Sequence, residues 1–190
     1  MYQYMFNKEW TSYYASANVG LSVNFTDPGS LSLDHVFFIV GPDTYSASEL
    51  TMNNLKPYMD VKLVGATTGG KPVGFIPQSI YVVDDTTGTS TQRADRDAIN
   101  FETENALQQG GYFQGITPDD AADDYVDLPW GDPQDRNLEA IDAFITTGSF
   151  SRSEARLQNQ PNANIFRTSH SPVLQRRFNG MVAYRLNFKK

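Results

Sequence analysis

Apolar residues in this chain come in short runs set between polar turns. Val36 to Val40 is a continuous apolar run, entered from Asp34 and left through Gly41-Pro42. Such a run suits a strand covered on both faces, as in a parallel sheet. Glu49 to Tyr58 follows at helical spacing, with Leu50, Asn53, Asn54 and Pro57 sharing faces and Pro57 closing the helix. Val61 to Val64 is a second buried strand. Strand, helix and strand with short links predict a βαβ unit with a right-handed crossover.

The flanks are less regular. Residues 1–33 carry Tyr2, Tyr4, Phe6, Trp10, Tyr13 and Tyr14 without a clean period, which predicts a helical or irregular leading segment. Within it, Asn24-Phe25-Thr26 has the form of a glycosylation sequon, a three-letter match with little weight. Ile76 to Val83 reads as extended, with Pro77 near its start, and Asp84 to Asp97 as an exposed loop or hairpin. Ala98 to Leu107 alternates enough for a strand. Turns are expected at Gly110-Gly111 and at Gly115 to Asp119, ahead of an acidic stretch to Asp127. Asp132 or Asp135 can cap a helix through Leu138, Ile141, Phe144 and Ile145, stopped by Gly148. Residues 149–190 form a basic extension, in which Met181 to Phe188 alternates like a strand. This tail either docks back on the acidic body or on a segment not present here, or forms a loose extension.

Composition narrows the class. The 190 residues suffice for one domain with a real core, and 39% hydrophobic and 13% aromatic residues suit a globular chain. A net charge of -7 disfavours nucleic acid as a partner. No apolar run is long enough to span a bilayer. With no Cys, there are no thiol nucleophiles, disulfides or Cys-held zinc. The opening MYQYMFNKEW lacks the basic and apolar regions of a signal peptide.

Candidate chemistry gathers between the two strands. Ser46-Ala47-Ser48-Glu49 reads first as a capping box, in which Ser46 and Glu49 satisfy each other's backbone amides. The same turn also suits a nucleophile. A Ser between strand and helix stands at the carboxyl end of the sheet, and the helix N-terminus offers the Ala47 N–H to a developing oxyanion. Lys71 supplies a candidate base. It lies among Gly69, Gly70, Pro72, Val73, Phe75 and Ile76, and a lysine serves as base when desolvated and without a carboxylate partner. His35 and His170 have no triad context. Gly65 to Lys71 also fits G-x-x-x-x-G-K, but Pro72 replaces the Ser or Thr that holds magnesium, and the following residues make a poor helix. The acidic cluster of Asp119, Asp120, Asp123, Asp124 and Asp127 lacks calcium-loop spacing. No metal or cofactor is expected.

Taken together, Ser46-Ala47-Ser48-Glu49, the Val-rich strand ending in Gly65, and Thr68-x-Gly70-Lys71 resemble the S41 peptidases, the C-terminal processing or tail-specific proteases. The resemblance puts the nucleophile on Ser46 and the general-base lysine, 25 residues later, on Lys71. Ala47 then serves the oxyanion hole, with Thr68 and Glu49 as supporting residues. Gly115-Ile116-Thr117-Pro118-Asp119 resembles the family's G-I-x-P-D, and the whole similarity covers about residues 34–148. The wording GKPVGF and NNLKPYM looks most like the Bacteroidetes branch.

The sequence departs from the family in two places. Phe75 stands where many members carry a Gln that orients the lysine, and Gln78 is not equivalent. Nothing before Ser46 matches the motif that completes the oxyanion hole. The resemblance implies an α/β fold with a ClpP/crotonase-like core of ββα units, incomplete at its N-terminus. It further implies the C-terminal part of a longer periplasmic or cell-envelope protease. A membrane anchor would lie in a segment not present here, and an open sheet edge would favour self-association. The expected reaction is hydrolysis of extended peptide or protein substrates by a Ser-Lys dyad. The alternatives are a catalytically incomplete module that binds peptides or assembles, and, more remotely, a nucleotide-binding protein.

Overall fold

The computed structural model describes residues 1–24, 29, 32–122, 128–150 and 181–182. Most of the sequon, part of the acidic stretch, His170 and most of the basic extension therefore lie outside the described residues. The fold mixes helix and sheet. Strands β1 (Tyr2–Met5), β2 (Ser22–Val23), β5 (Val73–Phe75), β8 (Phe101–Asn105) and β10 (Met181–Val182) form a sheet in the order β10-β5-β8-β1-β2. A second, parallel sheet holds β3 (His35–Val40), β4 (Asp60–Gly65) and β9 (Asp120–Ala121). Strands β6 (Gln78–Val83) and β7 (Ser90–Arg96) make a separate antiparallel hairpin.

Helix α2 (Ala47–Leu55) joins β3 to β4, as the apolar runs predict. Its Met52 enters a core cluster with Val40, Val61, Leu63 and Ile116, while Leu50 packs against a second cluster around Tyr4 and Phe101. Polar contacts finish the attachment. Asn105 Nδ2 donates to the Asn53 carbonyl at 3.0 Å, and Asn53 Nδ2 donates to the Gln109 carbonyl at 2.8 Å. Asn53 and Asn105 are buried, and their amides would cost stability if left unpaired. Helix α2 is thus fixed from both sides, which holds its N-terminus steady.

Helix α3 (Arg136–Thr147) begins at Asp135, whose carboxylate accepts from Asn137 N and Leu138 N, and ends at Gly148 in a left-handed conformation. Its Phe144 meets Phe37 of β3 edge-on, with ring centroids 5.6 Å apart, and lies under Lys62 of β4.

Two expectations need correction. The leading segment is neither helical throughout nor irregular: it holds β1 and β2 as well as α1 (Lys8–Ser16). Strand β1 pairs antiparallel with β8, Tyr4 opposite Thr103, so its support comes from far along the chain and leaves no local period. Strand β3 is also not buried on both faces. Val40 is buried but Ile39, which points to the opposite face, is exposed. Strand β4, between two neighbours, buries Val61, Leu63, Val64 and Gly65.

Candidate active site

The turn after β3 delivers Ser46. Thr44 N donates to the Gly41 carbonyl at 2.9 Å, and Gly41 N donates to Thr44 Oγ1 at 3.0 Å, which closes a tight bend. Ser46 follows with φ 55° and ψ -107°. A positive φ is uncommon for a residue with a Cβ and carries strain of about 1–3 kcal/mol. It also takes the Ser46 hydroxyl off the helix cap. Oγ makes no capping hydrogen bond and is buried without a hydrogen-bond partner, in a residue only 4% exposed. Only the Glu49 half of the expected capping box is made as a hydrogen bond, from Ser46 N to Glu49 Oε2 at 2.9 Å.

Glu49 has a wider part than capping. It is fully buried and binds four donors, two on each oxygen. Oε2 accepts from Ser46 N and from Lys71 N, the latter at 2.8 Å. Oε1 accepts from Thr68 Oγ1 at 2.5 Å and from Gly70 N at 2.8 Å. One side chain on the first turn of α2 thereby holds the Ser46 turn and the Thr68–Lys71 loop together. The sequence identified Glu49 as a cap and a supporting residue, but a local tetrad carries no sign of its bonds to a loop about twenty residues on.

Thr68 ties in a third segment. Its hydroxyl donates to Glu49 and accepts from Ile116 N at 2.7 Å, and its own N–H donates to the Ile116 carbonyl at 3.2 Å. Asp119 then anchors this segment to β4: its N–H donates to the Leu63 carbonyl, and Oδ2 accepts from Leu63 N, both at 2.8 Å. The approach is close enough to demand glycine. A Cβ on Gly115 would lie 2.1 Å from the Thr68 carbonyl oxygen, and one on Gly69 would lie 1.7 Å from the Tyr45 ring. Tyr45 therefore stacks directly on the loop, next to Ser46, a contact no sequence motif announces.

The remaining site residues divide. Ala47 is exposed at the first helical position, where an N–H has no intrahelical acceptor. Ser48 N and Leu50 N are already engaged by the Tyr45 and Ser46 carbonyls. Lys71 is half-buried, and its backbone joins Ser46 on the same carboxylate oxygen. The structure thus brings Ser46, Glu49, Thr68 and the Lys71 backbone into one cluster. His35 is exposed on β3, outside this hydrogen-bonded set.

This cluster leaves no phosphate cradle. Such a loop must turn its amides toward the ligand. Here Ala66 N donates to the Val40 carbonyl, Thr68 N to Ile116 and Gly69 N to Thr44, while Gly70 N and Lys71 N go to Glu49. The chain continues into β5, not a helix. Among the described residues no group of acidic or His side chains is placed to hold a metal ion. A concavity of about 310 Å³ between β1, α1 and β2 is lined by none of the site residues.

No family model matches the chain, and no curated protein matches it. Among solved structures, the chain is similar to the crystal structure of a Bacteroides fragilis NCTC 9343 protein assigned to the S41 proteases, at 24% identity and a TM-score of 0.46. The match covers 60% of this chain and 28% of that one, so the chain spans well under a third of that protein's length.

Proposed function

We propose that the chain carries the catalytic residues of a serine endopeptidase of the S41 type, with Ser46 as nucleophile and Lys71 as general base. One observation carries the reading: a single buried carboxylate, Glu49, brackets the backbones of Ser46 and Lys71, while the Ser46 hydroxyl is buried and without a hydrogen-bond partner. A buried hydroxyl left unpaired and held in strained backbone needs a reason, and a waiting reaction partner is one.

In this mechanism a peptide lies extended across the helix N-terminus. Lys71 in its neutral form takes the Ser46 proton as Oγ attacks the scissile carbonyl carbon. The oxyanion forms against the Ala47 N–H and the positive end of α2. The tetrahedral intermediate collapses, the C–N bond breaks, and Lys71 returns the proton to the leaving amine. Water, deprotonated by Lys71, then hydrolyses the acyl-Ser46 ester and regenerates the hydroxyl. The same reading carries a ClpP/crotonase-like core, a cell-envelope location and self-association through open sheet edges.

The test is covalent labelling. A fluorophosphonate probe should modify Ser46, located by peptide mass spectrometry, and Ser46→Ala and Lys71→Ala should each abolish labelling and peptide cleavage. Peptide cleavage retained by purified Ser46→Ala sinks the assignment. Peptide binding without labelling of the wild type moves the protein to the class of non-catalytic binding modules.

A further inference from the structure

The turn that carries the serine also receives the loop that carries the lysine. Three successive amides of that loop end on residues 44–49. Gly69 N donates to the Thr44 carbonyl at 2.9 Å, Gly70 N to Glu49 Oε1 at 2.8 Å, and Lys71 N to Glu49 Oε2 at 2.8 Å. Between Thr44 and Glu49 in the chain stands Tyr45, which adds an apolar contact. A Cβ built on Gly69 would lie 1.7 Å from Tyr45 Cε1, 2.1 Å from Cδ1 and 2.3 Å from Cζ. An edge of the ring therefore fills the space in which a Gly69 side chain would stand. Gly69 is not in a left-handed conformation, so the closeness of Tyr45, and not the backbone angle, demands glycine there.

This contact falls where the loop most needs one. Two consecutive glycines precede Lys71, and glycine has the greatest backbone freedom of any residue. Without side chains of their own, Gly69 and Gly70 are held by their amides and by whatever packs on them. Gly70, at φ 80°, is met by the backbone of a distant segment: the Phe113 carbonyl oxygen and Gly115 N lie 2.5 and 2.6 Å from where its Cβ would be. Gly69 is met by Tyr45. The ring is rooted beside the nucleophile, since Tyr45 directly precedes Ser46 and its carbonyl accepts from Ser48 N at 3.1 Å. Its position and that of Ser46 are therefore set by one turn.

We propose that Tyr45 is a positioning residue of the Ser46–Lys71 site, whose ring clamps Gly69 and so fixes the place from which Lys71 serves Ser46. The inference rests on the serine peptidase reading and adds a residue that aims its base. The role belongs to the ring carbons, and Tyr45 carries no proton in it.

The experiment compares wild type, Tyr45→Ala, Tyr45→Phe, Gly69→Ala and the double variant Tyr45→Ala/Gly69→Ala. Each is measured for the rate of fluorophosphonate labelling at Ser46, peptide kcat and KM, and urea midpoint, with kinetics taken well below every midpoint. Tyr45→Ala should lower kcat and the labelling rate roughly 10- to 100-fold with KM unchanged, the scale expected when a reacting group is misplaced by about an ångström. Tyr45→Phe keeps the three contacting carbons and should recover most of the rate. Gly69→Ala drives a methyl into the ring and should lower both midpoint and rate. In the double variant the methyl takes space that the ring has left, so the midpoint should rise above that of Gly69→Ala while kcat stays low. A merely structural contact would let the rate recover with the midpoint. That recovery, wild-type kcat in Tyr45→Ala, or a Tyr45→Phe rate as low as that of Tyr45→Ala overturns the inference and leaves the peptidase reading standing. Absence of labelling in the wild type overturns the peptidase reading and this inference with it.

Discussion

Replacing Glu49 by Gln tests the centre of the site with almost no change in volume. Glu49 offers two oxygens, and each accepts two hydrogen bonds. A Gln side chain keeps one oxygen and turns the other position into an NH₂ that faces donors. If the NH₂ faces Ser46 N and Lys71 N, two backbone donors are stranded, at about 1–3 kcal/mol each or roughly 2–6 kcal/mol in all. If it faces Thr68 and Gly70, the Thr68 hydroxyl can accept from it, and only Gly70 N is stranded, at about 1–3 kcal/mol. The second arrangement is favoured, so Glu49→Gln should lose about 1–3 kcal/mol and keep Ser46 near its place. Glu49→Ala strands all four donors and opens a cavity, and should approach the full 5–15 kcal/mol stability typical of a domain.

Urea unfolding followed by tyrosine and tryptophan fluorescence gives the stabilities, and fluorophosphonate labelling of the same samples reports Ser46. The expected order of stability is wild type, Glu49→Gln, Glu49→Ala, with labelling slowed in the first variant and lost in the second. Glu49→Gln unfolding at the wild-type midpoint and labelling at the wild-type rate would refute the idea that this carboxylate holds the two loops together.

Two further perturbations probe the surroundings. Thr68→Val removes the acceptor of Ile116 N and one donor to Glu49, and should cost about 1–3 kcal/mol by urea unfolding, whereas Thr68→Ser should recover most of it. At alkaline pH the buried tyrosines matter. Burial raises Tyr4, aided by its hydrogen bond with Tyr2, and raises Tyr112 to about 12. Both are neutral when folded, so their contribution to stability is fully present below the unfolded tyrosine value of about 10. It is lost as pH rises from there through the folded value, because the unfolded chain gives up its protons first. Urea midpoints measured across this range should fall, and Tyr112→Phe should shallow the slope; an equal slope in that variant would show that Tyr112 does not contribute.

The sequence exposed the parts of the fold that depend on neighbours in the chain. The runs Val36–Val40 and Val61–Val64, with a helix between them, are legible because burial and helical spacing act over a few residues. Asp135 and Gly148 bound α3 for the same reason. What stayed hidden is long-range pairing. Strand β1 is recognisable only once β8 is beside it, and β8 turns Thr103 and Asn105 inward, polar residues that a hydrophobic pattern assigns to the surface. Their burial is stable because Asn105 hydrogen-bonds Asn53, Gln109 and Leu107, partners a linear reading cannot supply. The site divides in the same way. Ser46, Glu49, Thr68 and Lys71 are visible from motif and spacing, whereas Tyr45 matters through its packing on Gly69.

Ser46 shows how one tetrad serves two ends that compete in sequence space. In an ordinary capping box the Ser hydroxyl turns back to the third amide of its helix and the Glu side chain turns back to the Ser amide. Here the second bond is kept and the first is given up, because a φ of 55° points the residue out of the cap. The strain of about 1–3 kcal/mol and the unpaired hydroxyl of similar cost would unfold an isolated turn. They persist because Glu49, freed from a purely local role, accepts three more donors from the Thr68–Lys71 loop. The loop thus stabilises the strained serine, and the serine's turn fixes the loop. A hydroxyl held this way has no hydrogen bond to give up when a base approaches, which suits the proposed nucleophile and serves no purpose in a helix cap.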